Sequence, residues 1–516
     1  MELVKNFKKQ DSISKLTILI IIFAILLRFL IAAYTIEGGD PCYHSSVARF
    51  IGRNFRFPLF EHLGREIFAH EPLFHTIGGF FYAVFNIFGN GDLGVHMVSP
   101  IFGSASIIVT FLIARKLFNR QITLFAVIFT SFLPLHIYHS TTAHIDMVGA
   151  FFALLSAYLL LNNRFYFSSI SFGLSLLGRI NSLFIAPLLA YILFKKYRKY
   201  RKKFFIRLFA FFALGLLTAS PWYARNYALL HNPIWPFLNS FFNGNYQSSH
   251  DFKPDKIGHM LNVEDAYVEV HLALFGIPDG KYENLFLFKN LLFSFGIIIW
   301  LIFTLASLLP FLLIFKKKYF RDKNFQLMLW GAIPYIFFLY FYQFNYGNTS
   351  TRYLLAAIPF LGIIWAHGIE RIMQYNHANN HVNSASIKKV VALFLILFVL
   401  GFSASEAIKT GIITYQWKKL DKDFEWAQKN TEENSLFLVP GQCLGYRLDR
   451  DSFPSKGTNY GLKPSLEPGI GQIDYIFDAN NIVQGQIKKD AISYYMPYFQ
   501  KVYENNKTNV KIYKRK

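Results

Sequence analysis

The sequence predicts an all-α polytopic membrane protein of about eleven transmembrane helices, with interfacial helices and a small C-terminal α/β extracytoplasmic domain. Three observations carry this. Apolar runs of helix-spanning length recur along the chain. Hydrophobic residues make up 53%, aromatics 18%, and the mean hydropathy is +0.28. The basic residues fall in short clusters between the apolar runs. An average soluble chain has fewer aromatics and does not repeat apolar runs of this length. The net charge of +22, from 53 basic and 31 acidic residues, lies mostly in those clusters. Such clusters are typical of cytoplasmic loops, and no basic stripe falls on a soluble stretch, which excludes a nucleic-acid binder. Two cysteines, Cys42 and Cys443, exclude a disulfide framework and a cysteine zinc site. A single bridge between them stays open if both are external.

The first apolar run follows Lys5, Lys8 and Lys9. It is too long for a signal-peptide core and no small-x-small cleavage site follows it, so it reads as an uncleaved helix with a cytoplasmic N-terminus. Arg115, Lys116 and Arg120, then Arg164, then residues 195–207, 316–323 and 371–389, mark successive cytoplasmic turns. Spans consistent with them cover 14–34, 95–114, 122–138, 147–161, two half-length pieces within 165–194, then 204–220, 287–315, 325–344, 353–372 and 390–408. Residues 72–88 are apolar as well. Counting them as a span would turn the next basic cluster outward, so they are read as an interfacial or re-entrant helix. The chain thus divides into a transmembrane part, 1–410, with long external loops at 35–94 and 222–284, and an external tail, 411–516. The tail carries strand-like runs at 435–439, 475–477 and 510–513 and a helix-like stretch at 421–430. No internal repeat is evident.

This register collects Asp40, His44, His70, Glu71, His75, His139, His144, Asp146, Arg179, Arg225 and Arg352 on the outer side. Each has an ordinary explanation. Asp40 follows Gly38-Gly39 and precedes Pro41, a turn that suits a helix cap. Asp146 opens a span, where an acid suits the helix dipole. Arg179 sits between half-helices, and Arg225 and Arg352 fit snorkelling residues. Together they fit a site for a phosphate-bearing substrate: arginine offers a charged fork to phosphate oxygens, and a carboxylate beside it serves as base or metal ligand. Asp40, His144 and Asp146 would give oxygen and imidazole ligands suited to manganese or magnesium, less typically zinc. No HExxH pattern occurs.

Several segments, in order, resemble the GT-C membrane glycosyltransferases, the group that includes protein O-mannosyltransferases and aminoarabinose transferases. They are the acidic turn with Asp40 and Tyr43, the His70-Glu71-Pro72-Leu73-Phe74-His75 segment, residues 93–99, 112–120 and 134–146, Pro221 to Asn226, Asn232 to Pro236, and Arg352 to Phe360. The likeness runs over most of residues 14–410. The chain departs from the pattern at His96, where arginine is common, at Glu71, and at His144-Ile145-Asp146, which is no paired-acid motif. No Trp-Trp-Asp signature of oligosaccharyltransferases occurs near the tail. The resemblance implies a polyprenyl-phosphate-linked sugar donor and a glycan, lipid or protein acceptor, handled at the cell membrane.

On that footing Asp40 is expected to be the general base of an inverting transfer. Arg352, Arg225 and Arg179 are expected at the donor phosphate, and Tyr43, His70, Glu71, His144 and Asp146 in binding or orienting roles, with Asp146 orienting an arginine or a metal. Two other classes compete. A secondary transporter also has broken helices with nearby charges, although its carboxylates belong at the midplane. An accessory subunit would keep the fold without the chemistry.

Overall fold

The computed structural model describes residues 11–36, 39–59, 68–235, 237–245, 310–311, 320–346, 351–375, 384–454, 473–479 and 496–516. The first helix, Ser12–Tyr34, starts at Asp11, whose carboxylate accepts from the Ser14 backbone N–H at 3.1 Å. Its 23 residues reach roughly 35 Å, enough for a hydrocarbon core of about 30 Å. Leu16, Leu19, Leu26 and Leu30 are exposed along it, as expected of a lipid-facing stripe. Six helices among the described residues are long and apolar enough to span: Ser12–Tyr34, Gly91–Leu117, Ile180–Tyr197, Arg201–Leu230, Lys323–Phe341 and Lys389–Lys418. Arg120–Phe132, Asp146–Leu161 and Phe165–Gly178 are apolar but shorter. The described residues alone do not establish the expected total of eleven, and the expected span at 287–315 lies outside them apart from 310–311.

One proline explains part of the difference. The expected span 122–138 breaks into Arg120–Phe132 and Pro134–His139, because Pro134 has no N–H to continue the ladder. The carbonyl of Ser131, left without a helical donor, accepts from Arg28 of the first helix at 2.7 Å. Arg28 is wholly buried and also donates to the Ala24 carbonyl and to His136 Nδ1. The C-terminal end of a helix dipole is a fitting place for a cation. Pro221 acts differently: the helix runs through it to Leu230, so the loop expected from residue 222 begins later. The boundary expected at 410 likewise falls inside a continuous helix, Ser384–Lys418. Residues 353–372 start with a 3-10 turn, Thr351–Leu354, before the helix Ile358–Tyr375.

Among its described residues, the expected long loop 35–94 holds the helices Asp40–Asn54, Leu73–Asn86 and the start of Gly91–His96. Leu73–Asn86 has 14 residues and reaches roughly 21 Å, too short to cross the core, in keeping with an interfacial reading.

The tail contains the helices Asp421–Asn430 and Gln442–Leu448 and a five-stranded sheet. Its strands are β1 (Leu436–Val439), β2 (Asp451–Pro454), β3 (Tyr475–Asp478), β4 (Phe499–Asn505) and β5 (Val510–Arg515), in the order β2-β1-β3-β5-β4. β1 pairs in parallel with β2 and β3, while β5 pairs antiparallel with β3 and β4. Cys42 is bonded to Cys443, with the Cα atoms 5.1 Å apart, so the tail core closes over the start of the Asp40–Asn54 helix. Arg49 of that helix reaches Asp449 of the tail at 2.8 Å. The seam keeps a cavity of about 420 Å³ lined by Arg49, Asp92, Asp421, Glu425, Gln428 and Arg447, among others.

Candidate active site

Asp40 is the first residue of its helix, and Gly39 before it has φ +74°, a left-handed conformation that glycine adopts without a Cβ penalty. Pro41 then suits the first helical turn, where its missing N–H costs nothing. The sequence thus presents a carboxylate at a helix start and stops the chain from extending the preceding span. Half of the Asp40 side chain is exposed, yet protein surrounds it closely enough for burial to push its pKa up. A group both open and surrounded lines a recess. Arg352, from the 3-10 turn, donates Nη1–H to Asp40 Oδ2 at 2.7 Å. That guanidinium, helped by the His144 and His70 rings, outweighs burial and holds the carboxyl at about 2.

Behind this pair lies a second, drier cluster. Gly178 ends the helix Phe165–Gly178, and a Cβ there would sit 2.6 Å from the Gly149 backbone. The close approach lets Arg179 meet the start of the helix Asp146–Leu161. Arg179 Nε is 3.2 Å from Asp146 Oδ1, and its Nη1 is 3.4 Å from Glu71 Oε2. Glu71 Oε1 also accepts from the Ile180 N–H at 2.9 Å. Glu71 therefore ties the broken helix to the segment entering Leu73–Asn86.

Histidines fill the space between. The Glu71 carbonyl lies 3.1 Å from His75 Nδ1, so that nitrogen carries the proton and His75 Nε2 accepts. His44 Nδ1 then donates to His75 Nε2 at 3.1 Å. Tyr43 is buried against the rings of His44 and His70. Burial, aided by the Arg179 charge, holds His70 at about 3. Burial does the same to His75, and burial with the Arg352 charge to His144, each at about 3. These imidazoles are neutral at pH 7, fit to accept hydrogen bonds or bind a cation.

His139, His144 and Asp146 are buried, and their ligand atoms lie within 4.8 Å of one another. Among the described residues, both His144 ring nitrogens and His139 Nδ1 lack a hydrogen-bond partner. The set that converges is therefore not the expected Asp40, His144 and Asp146: His139 takes the place of Asp40, which Arg352 holds. A second departure concerns Arg225. It donates to the Phe68 carbonyl at 2.8 Å and to Asn226 Oδ1 at 3.1 Å, and its guanidinium lies 4.5 Å from the Trp222 ring centroid. It fastens the loop ahead of His70 and makes no described contact with Asp40 or Arg352.

Sequence reasoning also passed over Lys409, which lies 4.6 Å from the Tyr138 ring centroid and 3.7 Å from the buried carboxylate of Glu406. An acid within an apolar helix was the available signal.

The architecture is that of the GT-C membrane glycosyltransferases. The crystal structure of ArnT from Cupriavidus metallidurans bound to undecaprenyl phosphate is similar over 96% of this chain and 97% of that one, with TM-score 0.61 and 13% identity. The oligosaccharyltransferase of Archaeoglobus fulgidus in the apo form is similar over 96% of this chain and 73% of that one, with TM-score 0.55 and 13% identity. Its complex with zinc and sulfate matches with TM-score 0.53, 13% identity and coverage of 96% and 73%. No curated protein matches the sequence. Residues 75–224 match the family model of dolichyl-phosphate-mannose-protein mannosyltransferases. The chain thus has the GT-C fold, and its residues 75–224 resemble the mannosyltransferase family.

Proposed function

We propose that this protein transfers a sugar from a polyprenyl-phosphate donor to an acceptor hydroxyl, with inversion, and that Asp40 is the base. The observation that carries the reading is the Asp40–Arg352 pair at 2.7 Å in an open recess: a proton acceptor and a phosphate-seeking fork side by side. The acceptor oxygen attacks the anomeric carbon, its proton passes to Asp40, and the bond to the phosphate oxygen breaks with its electron pair leaving on phosphate. Arg352 receives that charge. Arg179 lies behind the recess and braces Asp146 and Glu71, while Arg225 shapes the loop that delivers His70. His70, His144 and Tyr43 form the wall against which the sugars lie. The neighbour bound to undecaprenyl phosphate supports a lipid-phosphate donor.

His139, His144 and Asp146 fit a divalent cation, because buried neutral ring nitrogens without partners converge with a carboxylate. Two imidazoles and one carboxylate suit zinc or manganese better than magnesium. A cation there would add positive charge near the leaving phosphate. The bond between Cys42 and Cys443 supports placing the recess on the extracytoplasmic face of the cell membrane, since disulfides persist in oxidising compartments.

The test is transfer by the purified protein in lipid, offered a panel of polyprenyl-phosphate sugars. Asp40→Asn is expected to lower the rate roughly 10³-fold. Equal rates would remove Asp40 from the base role. Solute uptake without sugar consumption would make the chain a transporter.

A further inference from the structure

Arg352 has more donors than Asp40 uses. A guanidinium offers five N–H groups, yet the one described hydrogen bond from this side chain is Nη1 to Asp40 Oδ2. Its Nε is buried and, among the described residues, lacks a hydrogen-bond partner. Arg179, the other arginine of this layer, is stretched between Glu71 and Asp146. Arg352 therefore keeps donors for an anion, and it stands at a carboxylate whose side chain is 50% exposed. This creates a conflict within the proposed reaction. A carboxylate held by arginine is a poor proton acceptor, and an arginine held by a carboxylate is a poor phosphate ligand.

We infer that Arg352 exchanges partners: the donor phosphate draws its guanidinium away from Asp40, so that the base is released only when a donor is seated. The inference rests on the glycosyl-transfer reading and deepens it. Charge balance favours the exchange throughout the reaction. The donor's phosphodiester carries one negative charge, and departure of the sugar carbon leaves the electron pair, and so a second charge, on phosphate. Asp40 meanwhile loses its charge by accepting the acceptor's proton. Negative charge thus moves from one side of Arg352 to the other, and the guanidinium follows it. Bond breaking and proton removal are thereby linked through a single side chain. Before a donor arrives, the closed pair also denies a base to water.

Linkage makes this testable without turnover. If phosphate and Asp40 compete for Arg352, removing the charge of Asp40 must tighten phosphate binding. The measurement is the dissociation constant of undecaprenyl phosphate for the protein in lipid nanodiscs. Asp40→Asn is expected to bind about tenfold more tightly than the unchanged protein, and Arg352→Met more weakly. In the Arg352→Met background, adding Asp40→Asn is expected to change affinity by less than about twofold, because no arginine remains to be freed. Equal tightening in both backgrounds would mean plain charge repulsion and would overturn the exchange. So would unchanged or weaker binding by Asp40→Asn. If Arg352→Met does not fold, Arg352→Gln serves in the same cycle. If undecaprenyl phosphate binds none of the proteins, the donor reading fails as well.

Discussion

Two arginines meet the helix Asp40–Asn54 and use their donors in opposite ways. Arg49, about two and a half turns along it, gives Nε and Nη2 to the two oxygens of Asp92 at 3.0 and 2.7 Å. Its Nη1 serves Asp449 at 2.8 Å and the Tyr446 carbonyl at 3.0 Å, and its guanidinium lies 4.1 Å from the Tyr446 ring centroid. Arg352, at the helix start, makes one described hydrogen bond. Arg49 thus has the geometry of mortar between the membrane part and the tail, whereas Arg352 has the geometry of a hand half open. Both are arginine–carboxylate pairs. What separates a structural pair from a working one is the donor capacity left over, since Asp92 and Asp40 are about equally exposed, at 47% and 50%.

The largest effect should come from the open pair. Arg352→Ala is expected to lower transfer by roughly 10²- to 10³-fold while the melting temperature moves less than in Arg49→Ala. Arg49→Ala should show the reverse. It leaves Asp92 without its partner, while Arg53 still holds Asp449, and is expected to cost about 1–2 kcal/mol, read as a lower unfolding midpoint, with near-normal turnover per folded molecule. If both variants lose activity and stability in the same proportion, the distinction between the two arginines collapses. The smallest effect is acid sensitivity. His75 is held at about 3 against an ordinary value near 6.5, so the unfolded chain takes up the proton first as pH falls. Stability present above about pH 6.5 is therefore lost on acidification, by about 1 kcal/mol for this residue at pH 5.5. A midpoint that does not fall between pH 7 and 5.5 would contradict the neutral buried histidine.

Local signals were legible in the sequence where the chain states them locally. The helix Asp421–Asn430 appears where its pattern put it, and the break after Gly178 falls between two half-helices as expected. The strand Phe499–Asn505 escaped because Phe499 is its one buried residue, which leaves no alternation to read. The extension of a helix through Pro221 escaped because packing, not propensity, decides whether a single lost hydrogen bond is tolerated. The site shows the same division. Asp40 announced itself through Gly39 and Pro41, but its partner Arg352 lies 312 residues away. No local pattern separates it from Arg225, which binds loop carbonyls, or marks Arg49, which the sequence reading passed over. Likewise, His139 ends the short helix that Pro134 starts, and no local pattern marks it as a partner of His144 and Asp146.

The bond between Cys42 and Cys443 joins residues 401 apart and lies two residues from Asp40. At about 5–20 residues per second, a ribosome needs roughly 20–80 s to travel from one cysteine to the other. The turn that carries Asp40 thus emerges early and must wait with an open thiol until the last part of the chain has been made and folded. Closure of this covalent ring is a late event of biogenesis, and it certifies that everything between the two cysteines has been laid down. A chain cut short anywhere in that interval keeps Cys42, two residues from Asp40, without its partner cysteine.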